Sequence, residues 1–196
     1  MIKNTWHVEA WLTPEYQKEK HQNFLDLSSY IGFAPKTLLD IGCGMAWESR
    51  YFYNSFGTEL WLIDGDLDEN QNGAADAGYH QNPKNFGFYH SIEYLKRQID
   101  SSGFANYNLI NSNNINIPKD KKFDIITSWL SCGFHYPVST YKDLIQAHSH
   151  ENTKIVMDIR TELKTKKPIL EEDIEIVHII SYHRKHINAE IKIKNG

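Results

Sequence analysis

Thr37-Leu38-Leu39-Asp40-Ile41-Gly42-Cys43-Gly44-Met45-Ala46-Trp47 is the stretch on which the reading of this chain turns. Thr37 to Ile41 is an apolar run of strand length with a single acid, Asp40, set inside it. Gly42 and Gly44 flank Cys43, and a helix-like stretch follows from Met45 to about Asn54. Glycines between a strand end and a helix start allow a tight turn and a close approach of ligand to backbone. A second apolar run, Glu59 to Ile63, closes with Asp64-Gly65-Asp66, and Asp64 stands twenty positions after Gly44. An acid at the end of the second strand can accept both hydroxyls of a ribose. The pair describes a nucleoside-type ligand at the carboxyl edge of a sheet, where open α/β sheets bind.

The same residues exclude two ligands. The dinucleotide fingerprint needs a third glycine where this chain has Trp47, so a nicotinamide dehydrogenase is disfavoured. No Gly-Lys-Ser/Thr follows the turn, so the phosphate-binding P-loop is absent.

Upstream of the turn, Thr13-Pro14-Glu15 is a helix-start signature. Phe24, Leu27 and Ile31 follow at helical spacing before Gly32. Downstream, Leu67 to Tyr89 is a long polar loop, and Ser91 caps a helix through Ile92, Leu95 and Ile99 to Gly103. Three further strands are expected at Tyr107–Ile110, Phe123–Trp129 and Lys154–Ile159. Ser139 or Thr140 caps a helix carrying Tyr141, Leu144 and Ile145. Ile174–His183 and Ile187–Ile193 flank Arg184-Lys185 as an antiparallel hairpin. Continuous apolar strands alternating with helices indicate a parallel sheet covered on both faces. The expectation is an α/β, doubly wound, mostly parallel seven-stranded sheet ending in an antiparallel hairpin.

Its 196 residues suit a single domain, read as an N-terminal arm and helix (1–34) followed by a core (35–196). Hydrophobic residues at 40% and charged residues at 23% exclude wholesale disorder. A net charge of -4 argues against a general nucleic-acid binder. No apolar run approaches the roughly 20 residues that span a bilayer, and no signal-peptide core opens the chain. Two cysteines, Cys43 and Cys132, make no disulfide framework, so a cytoplasmic location is expected.

Four segments in register resemble the class I S-adenosylmethionine-dependent methyltransferases over roughly residues 35–160. They are Thr37 to Gly44, Leu62-Ile63-Asp64, Asn111 to Pro118, and Phe123 to Ser128. The resemblance implies S-adenosylmethionine as cofactor, S-adenosylhomocysteine as product, and a Rossmann-like fold. It further implies that backbone around Gly42, Cys43 and Gly44 lines the methionine part, with Asp40 orienting the turn. Asp64, followed by Gly65, would bind the ribose. Asn113 or Asn114 falls near the family's adenine-recognising acid, and backbone near Ser128 and Trp129 would face the cofactor's amino group.

The acceptor is sought in the loop after the fourth strand, Ser131-Cys132-Gly133-Phe134-His135-Tyr136-Pro137. His135 is the candidate base or orienting group, because imidazole transfers protons near neutrality. Tyr136 is the candidate hydroxyl donor or aromatic wall. The loop lacks an Asn-Pro-Pro-Tyr-type sequence and looks more like those of small-molecule or sugar O-methyltransferases. A small-molecule acceptor is therefore expected, without nucleic acid or membrane. Two rival readings are an aminopropyl-type transferase on the same fold and a binding protein without catalysis. No metal is expected: His183-Arg184-Lys185-His186 reads as a solvated hairpin tip and His148-Ser149-His150 as a helix end. Trp6, Trp11 and the Leu67–Tyr89 loop are the expected lid. Little room remains between Ile159 and Ile174 for a helix, interrupted as it is by Pro168. The last strand alternates Ile187, Ala189, Ile191 and Ile193 with Asn188, Glu190, Lys192 and Lys194, so one face is expected wet or covered by a second subunit, as in a homodimer.

Overall fold

Leu38 and Leu39 point to opposite faces of the first strand, and both are sealed from solvent. That two-sided burial requires helices above and below the sheet, and the computed structural model, which describes residues 11–65, 91–101, 103–104 and 106–194, has them. The elements run α1 (Pro14–Ile31), β1 (Thr37–Ile41), α2 (Trp47–Phe56), β2 (Glu59–Asp64), α3 (Ile92–Ser101), β3 (Tyr107–Asn111) and β4 (Ile125–Ser128). A 3₁₀ turn (Val138–Tyr141) then leads into α4 (Lys142–His148), β5 (Lys154–Arg160), β6 (Ile174–Tyr182) and β7 (His186–Ile193).

The strand order is β3-β2-β1-β4-β5-β7-β6. β1 to β5 pair in parallel, while β7 enters antiparallel between β5 and β6. Phe24 and Leu27 of α1, Phe52 of α2, and Leu95 and Ile99 of α3 share one core with Leu38, Leu60, Leu62 and Ile125. Val138 and Ile145 share the other with Leu39, Ile41, Ile63, Ile126 and Met157. From β1 the chain winds outward to β2 and β3, whereas β4 lies on its other side. Connections leaving β1 and β4 therefore diverge, opening a crevice at their carboxyl ends.

Several local expectations shift. α2 begins at Trp47 rather than Met45, because Ala46 takes a left-handed conformation (φ 51°) that cannot continue a helix. Neither Ser139 nor Thr140 caps the later helix; they lie inside the 3₁₀ turn, and α4 starts at Lys142. No helix joins β5 to β6, as the short Pro168 segment implied. On β7, Asn188 and Glu190 are buried, not wet. α1 reaches this face: the Tyr30 hydroxyl donates to Glu190, whose two oxygens also face Lys154 Nζ at 3.1 Å. Asn188 Nδ2 donates to Asp158 Oδ1 at 3.0 Å. The chain's own first helix thus reaches that face at Glu190, while Lys192 and Lys194 on the same face are exposed, as expected.

Candidate functional site

The turn after β1 is built onto the end of β2. The N–H groups of Gly42 and Cys43 both donate to the Ile63 carbonyl, at 2.7 and 3.0 Å. Gly44 N–H donates to Asp64 Oδ2 at 2.6 Å, and Gly65 N–H to Asp64 Oδ1 at 2.7 Å. Asp64 is 6% exposed, so its carboxylate clasps the glycine turn and its own following residue at the carboxyl edge. The Cys43 thiol also donates to Asp64 Oδ2, at 3.8 Å, so three donors of the turn region converge on this carboxylate. Gly42 has φ 73°, and a Cβ there would lie 1.9 Å from Ser131 Oγ. The β1 turn and the β4 loop approach too closely for any other residue.

Asp40 sits one layer deeper. Its Oδ2 accepts from the Ser49 hydroxyl at 2.6 Å, while its Oδ1 is buried without a partner. Burial, opposed by the Ser49 hydrogen bond and reinforced by Glu48 and Asp64, pushes its pKa to about 7. Ser49 opens α2's first turns, so Asp40 ties strand to helix across the turn. Burial also pushes the Cys43 thiol well above its ordinary value, with Asp64 and Asp40 adding to the shift. Cys43 is therefore a neutral thiol, unsuited to nucleophilic work.

Asn113 and Asn114 follow β3 and are exposed. The Asn111 side-chain oxygen accepts from Asn113 N–H at 2.9 Å, and its carbonyl from Asn114 N–H at 3.0 Å, which presents both asparagines at the same edge as Asp64. The Ser128 hydroxyl donates to the Ile41 carbonyl at 2.7 Å and accepts from Cys132 N–H at 2.8 Å. It thereby fastens the ends of β1 and β4 together, and Trp129 beside it is buried. Backbone, not the Ser128 side chain, is what that position can offer a ligand.

His135 and Tyr136 occupy the tip of a tight loop. The Ser131 carbonyl accepts from the N–H groups of Phe134, His135 and Tyr136, at 3.0, 2.6 and 3.2 Å. The loop is joined to β5 as well, because Arg160 N–H donates to the Gly133 carbonyl at 3.1 Å. Both side chains are half-buried.

Sequence reasoning missed a buried polar group beside this loop. Asp158, 1% exposed at the end of β5, accepts from Leu130 N–H at 3.0 Å and from Asn188, and it faces His186 Nε2 at 3.6 Å. His186 stacks on His183 with ring centroids 4.3 Å apart, and its ring meets the edge of Phe134, as does that of His135. The hairpin tip is thus no solvated turn at His186, whose side chain is 11% exposed. Burial, then His183, lowers its pKa to about 4. Lys20 of α1 lies 3.2 Å from Glu48 Oε1, which also accepts from Asn23 Nδ2 at 3.0 Å. Burial, which lowers the Lys20 pKa, is outweighed by Glu48, Tyr16 and Asp158, and the ammonium stays charged. Burial pushes the carboxyls of Glu48 and Asp158 up. The available signal was weak: a lysine and an asparagine on the apolar side of α1's repeat.

Trp11, of the expected lid, lies against the glycine turn; its ring is 3.9 Å from the position of a Gly44 Cβ, and its carbonyl accepts from Trp47 Nε1. Trp6 and the Leu67–Tyr89 loop lie outside the described residues. Among the described residues no three His, Cys, Asp or Glu side chains are grouped to hold a metal ion. No described helix is long and apolar enough to cross a membrane.

No protein-family model and no curated protein matches the sequence. Solved structures do match the fold. An S-adenosylmethionine-dependent methyltransferase from Clostridium acetobutylicum ATCC 824 aligns with TM-score 0.58 and 13% identity, over 90% of this chain and 92% of that one. The E81Q mutant of MtNAS in complex with S-adenosylmethionine aligns with TM-score 0.65 and 10% identity, over 97% and 67%. A ribosomal protein L11 methylase from Lactobacillus delbrueckii subsp. bulgaricus aligns with TM-score 0.55 and 13% identity, over 90% and 80%. The seven-stranded sheet, with its antiparallel last hairpin, has the fold of the class I S-adenosylmethionine-dependent methyltransferases.

Proposed function

We propose that this protein binds S-adenosylmethionine at the carboxyl edge of β1, β2 and β4 and transfers its methyl group to a hydroxyl oxygen of a small molecule, a sugar or similar metabolite. The observation that carries the reading is the Asp64 clasp on Gly44 and Gly65, set beside a turn that has no space for a Cβ at Gly42. An acid at the end of β2 suits a ribose diol.

The bound sulfonium would supply an activated methyl group, and the protein's part is to hold and orient. Gly42, Cys43 and Gly44 would line the methionyl portion, Asp64 and Gly65 the ribose, and Asn113 or Asn114 the adenine edge, where an amide oxygen accepts from an amino group. Backbone at Ser128 and Trp129 would meet the amino group. His135 would take the proton from the acceptor hydroxyl, with Tyr136 shaping the wall. Trp11, against the glycine turn, would exclude water from the donor.

Titration calorimetry tests the donor site. S-adenosylmethionine and S-adenosylhomocysteine should bind while NAD does not, and Asp64→Ala should weaken binding roughly 100-fold by removing two charge-assisted hydrogen bonds and the ribose acceptor. Binding of NAD alone would overturn the proposal. The product then separates the rivals: methyl transfer releases S-adenosylhomocysteine, aminopropyl transfer releases 5′-methylthioadenosine, and a binding protein releases neither. Undiminished turnover in His135→Ala would remove His135 as the base.

A further inference from the structure

β6 closes the sheet on one side, and among the described residues no strand pairs with its outer edge. It is nine residues long, against five for β3 at the opposite edge. The open N–H and C=O groups of such an edge can pair with another strand, so proteins ordinarily blunt it with lysine, proline or a short run. β6 has no lysine and no proline, and Ile174, Ile176, Val177, Ile179, Ile180 and Tyr182 make it strongly β-forming. The guard it does carry is two bulges against β7, between Ile176 and His178 and between Ile179 and Ser181. A bulge bends a strand and re-aims side chains, and Val177, inside the first, is 53% exposed. Tyr182 at the strand's end is 77% exposed.

The charges flanking this strand are sorted by sign. Glu171, Glu172 and Asp173 precede it, and His183, Arg184 and Lys185 follow it at matching distances from His178. Glu171 Oε1 accepts from Ser139 N–H at 3.0 Å and Asp173 pairs with Lys142 at 2.6 Å, so these two acids are used within the chain. Glu172, Glu175, Arg184 and Lys185 are exposed. Antiparallel pairing of two identical strands sets residues equidistant from the centre opposite each other, and a two-fold axis makes every such contact occur twice. With His178 at the centre, Glu172 of one copy faces Arg184 of the other. Ile174 then faces Tyr182, Ile176 faces Ile180, and Val177 faces Ile179. Parallel pairing in register would instead set acid against acid and base against base, which is unfavourable.

We propose that β6 pairs antiparallel with β6 of a second copy of this chain, giving a two-fold homodimer centred on His178 and closed at both ends by Glu172–Arg184 ion pairs. The pairing joins the two sheets into one, covers Val177 and Tyr182 in both copies, and consumes the open β6 edge of each. This surface is the edge of the sheet, distinct from the β7 face that α1 reaches at Glu190.

Sedimentation velocity over a concentration series reads the assembly directly. Wild type should form dimers that loosen in high salt, which screens exposed charges. Glu172→Arg sets arginine against arginine at both ends of the ladder, and Arg184→Glu sets glutamate against glutamate. Each should raise the dimer Kd roughly tenfold. Mixed in equal amounts, the two variants should regain wild-type affinity, because in the mixed dimer every arginine meets a glutamate across the axis. That recovery also shows that both variants are folded. Val177→Lys places a charge in the apolar pair with Ile179 and should weaken the dimer at every salt concentration. Wild type that stays monomeric would overturn the proposal. So would single variants that dimerise as tightly as wild type, or a mixture that stays as weak as its components. None of these readouts needs a ligand, so the dimer is decided separately from the donor reading.

Discussion

Replacing Asp40 with asparagine offers a sharp test of the electrostatics under the glycine turn. The carboxyl is 1% exposed, one of its oxygens has no partner, and Glu48 and Asp64 both oppose its ionisation. Its pKa rises from 3.8 to about 7, chiefly through burial. Between these values the folded chain keeps a proton that the unfolded chain has released. Stability from this group therefore falls as pH rises from about 4 to about 7, and is flat above that. At 1.36 kcal/mol per unit the whole shift corresponds to about 4 kcal/mol, of which about 3 kcal/mol lies between pH 5 and pH 8. An asparagine side chain cannot ionise, so that slope disappears in Asp40→Asn.

The variant has its own fixed cost. An amide N–H facing the space of the orphan oxygen costs about 1–3 kcal/mol, but it does so equally at every pH. His186 complicates the wild-type profile with the opposite sign. Its pKa falls from 6.5 to about 4, so between these values the unfolded chain binds more protons, and its contribution grows as pH rises through the window. Only the difference between variant and wild type isolates Asp40. Urea unfolding at pH 5, 6, 7 and 8 should show Asp40→Asn gaining on wild type by about 3 kcal/mol across the series. A difference that stays constant with pH would refute the claim that Asp40 is held protonated by its burial.

Two further outcomes follow from the packing. Gly42→Ala combines a left-handed φ of 73° with a Cβ 1.9 Å from Ser131 Oγ, and should lose about 3 kcal/mol or more in urea unfolding. Adding Ser131→Gly should recover the steric part and leave about 1 kcal/mol of backbone strain, and no recovery would place the cost elsewhere. Lys20→Met leaves Glu48 buried with only Asn23 beside it, and thermal melts at pH 8 should report a loss of about 3–5 kcal/mol. Lys20→Met with Glu48→Gln keeps the acceptor for Asn23 and should regain most of it, whereas an equal loss in both would show that Lys20 acts through packing alone.

The strands were legible because parallel strands covered on both faces read as unbroken apolar runs. Thr37–Ile41 and Glu59–Asp64 declare themselves in this way, and Asp64 is conspicuous as the acid that ends the second. α1 was legible from its ends: Thr13 accepts from Tyr16 N–H, and Gly32 closes the helix at φ 69°. Its inner face was harder, because a lysine at position 20 counts as solvent-facing until Glu48 and Asp158, distant in sequence, are known to lie opposite. The same blindness made Asn188 and Glu190 look wet and His186 look like a turn residue. Alternation reports which residues share a face, but it carries no information on what covers that face. Ala46 gave no sign of its left-handed backbone, since alanine ordinarily signals helix rather than its boundary.

Polar burial along the carboxyl edge is hard to explain as architecture. Asp40, Glu48, Asp64 and Asp158 are all less than one-tenth exposed, against two buried cations, Lys20 and Arg50. Lys20 is paired and sees both Glu48 and Asp158, so it knits α1 to α2 and β5. Asp64 is engaged by backbone N–H groups, and Asp158 by Leu130 and Asn188. What these six groups leave over is one oxygen of Asp40 and two nitrogens of Arg50. At the amino-terminal edge of the sheet Asp124 accepts from the N–H groups of Lys36 and Thr37, at 2.7 and 3.1 Å. An uncompensated buried charge costs stability, so Arg50 is the group whose removal the fold should tolerate best. Arg50→Met, which keeps the stacked volume between Trp47 and Phe104, should therefore melt no lower than wild type. A clearly lower melting temperature would show instead that the guanidinium holds α2 in place through its contacts with the Trp47 and Phe104 rings.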